Sequence, residues 1–589
     1  MHSGYPLSTL LLLACLGCLA GLGPAGVAPA HASGVPYFTD IAEQAGLDFT
    51  HFNGSSGALY LPEIMGPGAA LFDYDDDGDL DVYLVQGGRL APDKQAPDGF
   101  EGGAEELAGD RLFRNDLTVG PDGAPHLRFT DVTRESGIRA FGYGMGVAAG
   151  DFDNDGWVDL YVTNFGPNQL WRNLGDGRFQ EVTATAGLGD TGWSVSAAFL
   201  DYDGDGWLDL YVGDYVHLDL REHKPCEAPS SLPDYCTPLV YSARPDRLYR
   251  NRGDGSFEDV SGKTGIDTVH EPTLGVIVGD YNADGWLDIY VANDGKPNKL
   301  WFNTRDGSFR EDAFFAGAAV NMAGAAEGSM GVIAGDLDND GDQDLFMTHL
   351  TGETNTVYVN DGKGWFEDRS IASGLGGSSK AFTGFGTGWL DFDNDGWLDV
   401  FVANGEVSLL RGHADAADAY PLHQPNQLFR NQGGKGFAEV TADAGPAFRR
   451  AETSRGAAFG DVDNDGDTDI LVANNAGPAR LLRNERGQSA SWLGLRLVDR
   501  SGRDALGARV ELRTDERVLW RTARSDGSYA SASDPRVLFG LGPREGAAVR
   551  EVRVYWPDGH IERWTGLLRG RYQTIRYGRG RAVDGDAKD

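Results

Sequence analysis

One nine-residue pattern, Asp-x-Asp-x-Asp-Gly-x-x-Asp, recurs seven times along this 589-residue chain, beginning at Asp73, Asp151, Asp201, Asp280, Asp336, Asp391 and Asp461. Only the fourth copy departs at an acidic position, where Asn282 stands in place of Asp. A unit repeated this often is too small to bury its own apolar face, so each copy must pack on the next. The repeat therefore predicts an array or a ring rather than several unrelated cores.

Two further patterns travel with the Asp loops. A Leu-x-Arg-Asn-like strand occurs at Leu112, Leu170, Leu248, Leu300, Val357, Leu428 and Leu481. A Phe-x-Asp-Val-like segment occurs at Phe38, Phe129, Phe179, Phe257, Phe309, Phe366 and Phe437. The sets are out of phase, because Phe38 precedes the first Asp loop and no such segment follows Leu481. A closed ring of sheets must protect its seam, and a strand borrowed from the N-terminus does so. The alternation in Leu160-Tyr161-Val162 supports strands, and 84 glycines support many turns. The expected fold is all-β: a seven-bladed β-propeller over residues 33–488, its seam closed by the N-terminal strand. An open solenoid is the rival, and the phase offset argues against it.

Oxygen side chains at positions 1, 3 and 5 with Gly at 6 match the first half of an EF-hand loop. Here the loop closes on Asp at position 9 and runs into an apolar strand, which makes it a β-hairpin cation loop. The expected ligands in the first loop are Asp73, Asp75, Asp77 and Asp81, with the position-7 carbonyl of Asp79. The second set is Asp151, Asp153, Asp155, Asp159 and Trp157; the third is Asp201, Asp203, Asp205, Asp209 and Trp207. The fourth is Asp280, Asn282, Asp284, Asp288 and Trp286; the fifth is Asp336, Asp338, Asp340, Asp344 and Asp342. The sixth is Asp391, Asp393, Asp395, Asp399 and Trp397; the seventh is Asp461, Asp463, Asp465, Asp469 and Asp467. All-oxygen, carboxylate-rich loops favour Ca²⁺, up to seven ions in a structural role. A metal-free Asn/Asp/Gly turn is the simpler account of one copy. Across seven copies it leaves the clustered carboxylates repelling one another.

These motifs resemble the FG-GAP or VCBS repeats of integrin-α-like propellers. Phe459-Gly460 and Ala476-Gly477-Pro478 echo that signature around the seventh loop. The resemblance is specific for fold and metal and silent on ligand.

The chain carries 89 acidic residues against 51 Lys and Arg, a formal net charge of −38. Such a body is a poor nucleic-acid binder, because phosphate contacts need an excess of cations. Residues 1–32 contain no Asp, Glu, Lys or Arg. The apolar run Leu7 to Leu22 and Ala30-His31-Ala32 read as a Sec-type signal peptide cut after Ala32. Lipoprotein processing at Cys15 is the rival. The mature chain is then secreted, periplasmic or at the cell surface, with no other span-length apolar stretch. In that oxidising setting Cys226 and Cys236 are expected to form a disulfide.

Connections from the closing Asp to the Leu-x-Arg-Asn strand are 11 to 13 residues in four repeats. They are 31 in the first, 39 in the third and 29 in the sixth, and these insertions share one face. Long loops on a rigid scaffold are where binding usually resides. On that face a polar ring is expected from Gln86, Asn164, Asp214, Asn293, His349, Asn404 and Asn474, each five residues past a closing Asp. The ring has two readings, turn caps or a ligand-binding rim. His51, His270, His423 and Glu63 fall on connections of the same face. Trp157, Trp207, Trp286 and Trp397 either stack on sugars or pack over the adjoining loop. No nucleophile elbow, zinc motif, Walker loop or dinucleotide fingerprint occurs.

Residues 489–580 hold 17 Arg, no Lys and 11 acids, so this part is basic while the first 488 residues carry −43. Short strands at Trp492–Val498, Ala508–Arg513, Val518–Thr522, Val549–Tyr555 and Tyr572–Arg576 predict a small β-sandwich, followed by a disordered tail over 581–589. The stretches Asp504-Ala505-Leu506-Gly507, Asp526-Gly527-Ser528-Tyr529, Phe539-Gly540-Leu541-Gly542 and Trp556-Pro557-Asp558-Gly559 resemble the ASPIC/UnbV domain. That domain follows an FG-GAP propeller in the cartilage acidic protein family and its bacterial relatives. The resemblance implies secretion, calcium binding and extracellular interaction. The expected role is that of an extracellular, adhesion-type binding protein for a protein or glycan, as a monomer. The alternative is an enzyme acting on a polysaccharide or natural product; no catalytic residues transfer. If the two parts are independent, removal of residues from Ser489 onward leaves the propeller folded.

Overall fold

The computed structural model describes residues 35–90, 109–121, 124–228, 231–409, 420–543 and 548–583. The expected signal peptide, most of the first insertion beyond residue 90, part of the sixth and residues 584–589 lie outside the described residues.

The architecture is all-β, with helices of only three to five residues. Seven four-stranded antiparallel sheets account for residues 38–484. The second sheet is typical: Gly144–Gly150, Asp159–Asn164, Gln169–Asn173 and Phe179–Glu181 pair in chain order. After the strand Phe179–Glu181, Thr183–Ala186 forms a helical turn capped by the left-handed Gly187.

The seven first strands are Ala69–Phe72, Gly144–Gly150, Ser194–Leu200, Thr273–Gly279, Val332–Gly335, Gly384–Leu390 and Ser454–Gly460. Each packs beside the next, and Ser454–Gly460 returns to Ala69–Phe72. The N-terminal strand Phe38–Asp40 pairs antiparallel with Arg480–Asn484, Phe38 opposite Asn484, and supplies the outer strand of the last sheet. Apolar clusters lie between neighbouring sheets. One joins Ala70, Tyr83 and Leu112 of the first to Val147, Leu160 and Trp171 of the second. Another joins Ala458 and Leu471 of the last sheet to Leu71 and Val82 of the first. Each large apolar side chain buried there contributes about 1.5–3 kcal/mol.

Beyond residue 489 two further sheets face one another. A three-stranded sheet has Trp492–Val498 between Val537–Gly540 and Tyr572–Arg576, the last pairing parallel. A five-stranded sheet runs Val518–Thr522, Arg509–Thr514, Val549–Tyr555, Ile561–Trp564, Arg581–Ala582. Leu495, Leu497, Val510, Leu512, Phe539 and Val552 form their shared core. Arg581 and Ala582, expected in a disordered tail, instead pair with Arg563 and Glu562.

The two parts are packed against one another, and the described residues from Pro36 onward form one compact unit. The inner edges of seven first strands present unpaired backbone groups, which are costly if buried unbonded. The loop Ser525–Asp534 bonds to all seven sheets. Ala532 exchanges hydrogen bonds with Leu71 and Ala69. Val147 N–H donates to Ala530 C=O, Ala530 N–H to Ser196 Oγ, and Val278 N–H to Asp526 Oδ2. Val332 N–H donates to Ser528 C=O, Thr387 N–H to Ser528 Oγ, and Phe459 N–H to Ser533 Oγ. Tyr529 and Ala530 are buried with Leu61, Ile64 and Met65, which arrive from the N-terminal side of the first sheet, and with Met145, Trp193, Leu274, Met330 and Phe385.

Candidate metal centres

Each Asp loop joins the first and second strands of its sheet. Position 4 has positive φ in all seven loops, at Asp76, Asn154, Gly204, Ala283, Asn339, Asn394 and Asn464, and so does the glycine at position 6. Left-handed residues at 4 and 6 curl the chain around the side chains at 1, 3 and 9. This explains the Asn, Asp and Gly at position 4.

In the second loop Asp151 accepts from the N–H groups of Asp155 and Gly156 at 3.2 and 2.8 Å. Asp159 accepts from Phe152 at 3.0 Å and from Asn173 at 2.7 Å. The same carboxylate-to-backbone scheme recurs around the fold. Position 5 turns one oxygen to the N–H of position 7, as Asp155 does to Trp157 at 3.1 Å and Asp395 to Trp397 at 3.0 Å. Positions 1, 3 and 9 are the ones brought together. Carboxylates of Asp73, Asp75 and Asp81 offer oxygens within 4.8 Å of one another, as do Asp151, Asp153 and Asp159. The groups Asp201, Asp203 and Asp209, Asp336, Asp338 and Asp344, and Asp391, Asp393 and Asp399 do the same. These clusters could hold metal ions.

Two observations show how the clusters are poised. Burial, with neighbouring carboxylates adding to it, pushes the Asp151 carboxyl up to about 6 and the Asp336 carboxyl to about 7. One position-3 oxygen, Oδ1 of Asp75, Asp153, Asp338, Asp393 and Asp463, is buried with no hydrogen-bond partner. The other oxygen meets arginine in two of these loops: Arg172 reaches Asp153 at 2.5 Å and Arg430 reaches Asp393 at 2.6 Å. These are the arginines of the Leu-x-Arg-Asn strands.

The asparagine of that strand was a structural signal whose role the pattern alone did not reveal. Asn173 Nδ2 donates to Val158 C=O in its own loop at 3.1 Å and to Tyr74 C=O in the preceding loop at 2.8 Å. Asn251, Asn303, Asn360, Asn431 and Asn484 repeat this double bond. Asn115 completes the cycle by reaching Val462 in the last loop at 2.9 Å.

Trp157 and Trp207 lie against Gly175 and Gly253 of the adjoining hairpins, where a Cβ would meet the indole within 2.5 to 2.8 Å. Asp79 accepts from Asn464 Nδ2 at 2.8 Å, and Asp467 from Gln488 N–H at 2.7 Å. The basic C-terminal part lies against these loops. Arg496 pairs with Asp76 at 2.5 Å, Arg503 bonds Asn154 at 3.0 Å, and Arg509 and Arg517 bond the Gly341 and Asp395 carbonyls.

The polar ring Gln86, Asn164, Asp214, Asn293, His349, Asn404 and Asn474 is buried. Its side chains bond their own connections: Asn293 to Pro297 C=O at 2.8 Å, Asn404 to Pro425 C=O at 2.9 Å, Asn474 to Pro478 C=O at 2.8 Å. Asp214 accepts from Ser194 and Arg244, Gln86 from Phe52 N–H, and Asn164 donates to Val162 C=O. His349 Nε2 lies 3.1 Å from Ser329 Oγ. Glu63 is buried and accepts from Ser56, and His51 is buried between the backbone N–H groups of Gly87 and Ala476. His270 and His423 are exposed. Cys226 and Cys236 are bonded, 5.2 Å apart at Cα, in the third insertion.

A family model described as FG-GAP-like repeat matches residues 151–212, 239–291, 280–347, 336–402 and 391–472, half of the chain. A second, ASPIC and UnbV, matches residues 498–582. The chain belongs to the FG-GAP-like repeat family and carries an ASPIC and UnbV domain. Among relatives of this FG-GAP-like chain, cartilage acidic protein 1 of Xenopus tropicalis is 26% identical over 325 residues, which are 54% of this chain and 38% of the relative. Cartilage acidic protein 1 of Mus musculus is 28% identical over 325 residues, 54% of this chain and 46% of the relative. The match thus spans less than half the length of either relative. A solved Agrocybe aegerita lectin, described as recognising non-reducing terminal N-acetylglucosamine, is 15% identical with a TM-score of 0.35, covering 70% of this chain and 87% of its own. The seven consecutive four-stranded sheets are the structural counterpart of the FG-GAP-like repeats. Among the described residues no helix is long and apolar enough to cross a membrane.

Proposed function

We propose that the seven sheets are the blades of a seven-bladed propeller, that the C-terminal sheets form a β-sandwich docked on it, and that the Asp loops bind up to seven structural Ca²⁺. The buried, unpartnered position-3 oxygens carry this reading. A lone carboxylate oxygen removed from water is costly unless a cation or donor meets it. The donors are all oxygen, with no His or Cys, which suits a hard divalent ion. Residues at positions 1, 3 and 9 would hold the ion, which supplies charge neutralisation and a cross-link between the two ends of the loop. Calcium titration calorimetry of the chelator-treated protein tests it; absence of binding at millimolar Ca²⁺ overturns it.

We further propose an exported, extracellular binding protein, whose ligand, a protein or a glycan, meets the face that carries the long insertions. The buried ring from Gln86 to Asn474 supports those loops rather than touching ligand. The Cys226–Cys236 bond supports exposure to an oxidising compartment. A glycan and surface-protein array probed with and without calcium tests this reading, and the same panel exposes any turnover.

A further inference from the structure

Between the C-terminal sheets and the fifth to seventh Asp loops lies a cavity of about 180 Å³, more than one water occupies. Three of its lining residues carry four buried polar atoms without hydrogen-bond partners: Nη2 of Arg521, Nε and Nη1 of Arg524, and Nε1 of Trp389. All four are donors. The Arg521 side chain is only 9% exposed, and its Nη2 forms a long ion pair with Asp391 Oδ2 at 3.8 Å, beyond hydrogen-bond reach. The acids of the same wall are already engaged. Asp526 Oδ2 accepts from Val278 N–H at 2.6 Å, and Asp534 is paired with Arg536 at 2.8 Å. The remaining carboxylates belong to the Asp loops.

Buried donors are nearly always matched, so a group of orphaned N–H groups in one cavity requires an acceptor. Two guanidiniums and an indole N–H suit a ligand that accepts only, and planar arginine forks favour carboxylate, sulfate or phosphate oxygens. We propose that this cavity is a binding site for a small oxyanion. The proposal rests on the calcium reading: with the fifth to seventh loops loaded, the bordering carboxylates are neutralised and the two arginines set the local potential.

The test uses the calcium-loaded full chain, with sulfate, inorganic phosphate and acetate against chloride at matched ionic strength. Calorimetry and the melting temperature are read together. Because sulfate strengthens apolar burial in any protein, only the saturable part that Arg524→Gln removes is counted. The expected result is saturable binding that weakens at least tenfold in Arg524→Gln. The phosphate and acetate arms separate a tetrahedral anion from a carboxylate. A selenate-soaked crystal provides a second measurement should the variant fold poorly, with an anomalous peak beside Arg521 and Arg524 expected. Calcium binding without saturable anion binding and without that peak overturns the proposal and leaves the metal reading intact. Failure to bind calcium at all overturns the metal reading separately.

Discussion

The Tyr529 hydroxyl donates to the Met65 carbonyl oxygen at 2.8 Å, joining residues 464 positions apart. Both are buried in the cluster at the centre of the seven first strands. The bond marks the point where the C-terminal loop meets the segment preceding the first sheet, and it ties the two parts together.

Tyr529→Phe strands a buried carbonyl and is expected to cost about 1–3 kcal/mol. Tyr529→Ala also opens a cavity and is expected to cost about 3–5 kcal/mol. Denaturant unfolding followed by tryptophan fluorescence should show a single transition in both. Two separate transitions would contradict a shared unit. Truncation after residue 488 is expected to expose seven inner strand edges and yield an aggregating product, read by size-exclusion chromatography.

If the loops bind calcium as proposed, chelation is expected to lower the melting temperature by several degrees, because the loops would lose the ion that binds their ends together. The fourth loop has Asn282 at position 3 and one carboxylate fewer. Asn282→Asp should therefore add or tighten one calcium site, and Asp393→Asn should weaken one, both seen as changes in stoichiometry or affinity by calorimetry.

Asn303 Nδ2 bonds Tyr202 C=O at 2.8 Å and Leu287 C=O at 3.3 Å, linking successive sheets. Asn303→Ala leaves both acceptors buried and is expected to destabilise by about 1–3 kcal/mol, measured at constant calcium.

Burial pushes the imidazoles of His51 and His349 down to about 3. The unfolded chain, with histidine near its ordinary value of about 6.5, binds protons that the folded state refuses. Their contribution is fully present above pH 6.5 and is lost as pH falls toward 3. Denaturation midpoints from pH 7 to 4 should fall less steeply in His51→Gln than in the parent; equal slopes would refute this.

The repeated loop was legible because its chemistry lies within nine residues. Positive φ at positions 4 and 6 and carboxylates at 1, 3 and 9 are local requirements, so the pattern carries them directly. The phase offset of Phe38 was legible for a topological reason, since an unpaired copy at one end needs a partner at the other. The ring from Gln86 to Asn474 was less so. A polar residue at a strand end reads alike as a turn cap or a ligand contact until its burial and partners are seen. The asparagine of Leu-x-Arg-Asn was visible as a pattern, but its second acceptor lies about 100 residues away, in the loop of the preceding sheet.

By itself the sequence determined the repeating strand-loop-strand unit, its sevenfold count, the oxygen-rich loops and the change to a basic C-terminal part, because each depends on near neighbours in the chain. Tertiary structure alone decided that Ser525–Asp534 bonds to every sheet, that Arg521 and Arg524 keep unpaired donors in a cavity, and that the polar ring is buried. Those outcomes depend on which backbone edges and side chains remain unpaired after the sheets have assembled, a balance set by long-range packing.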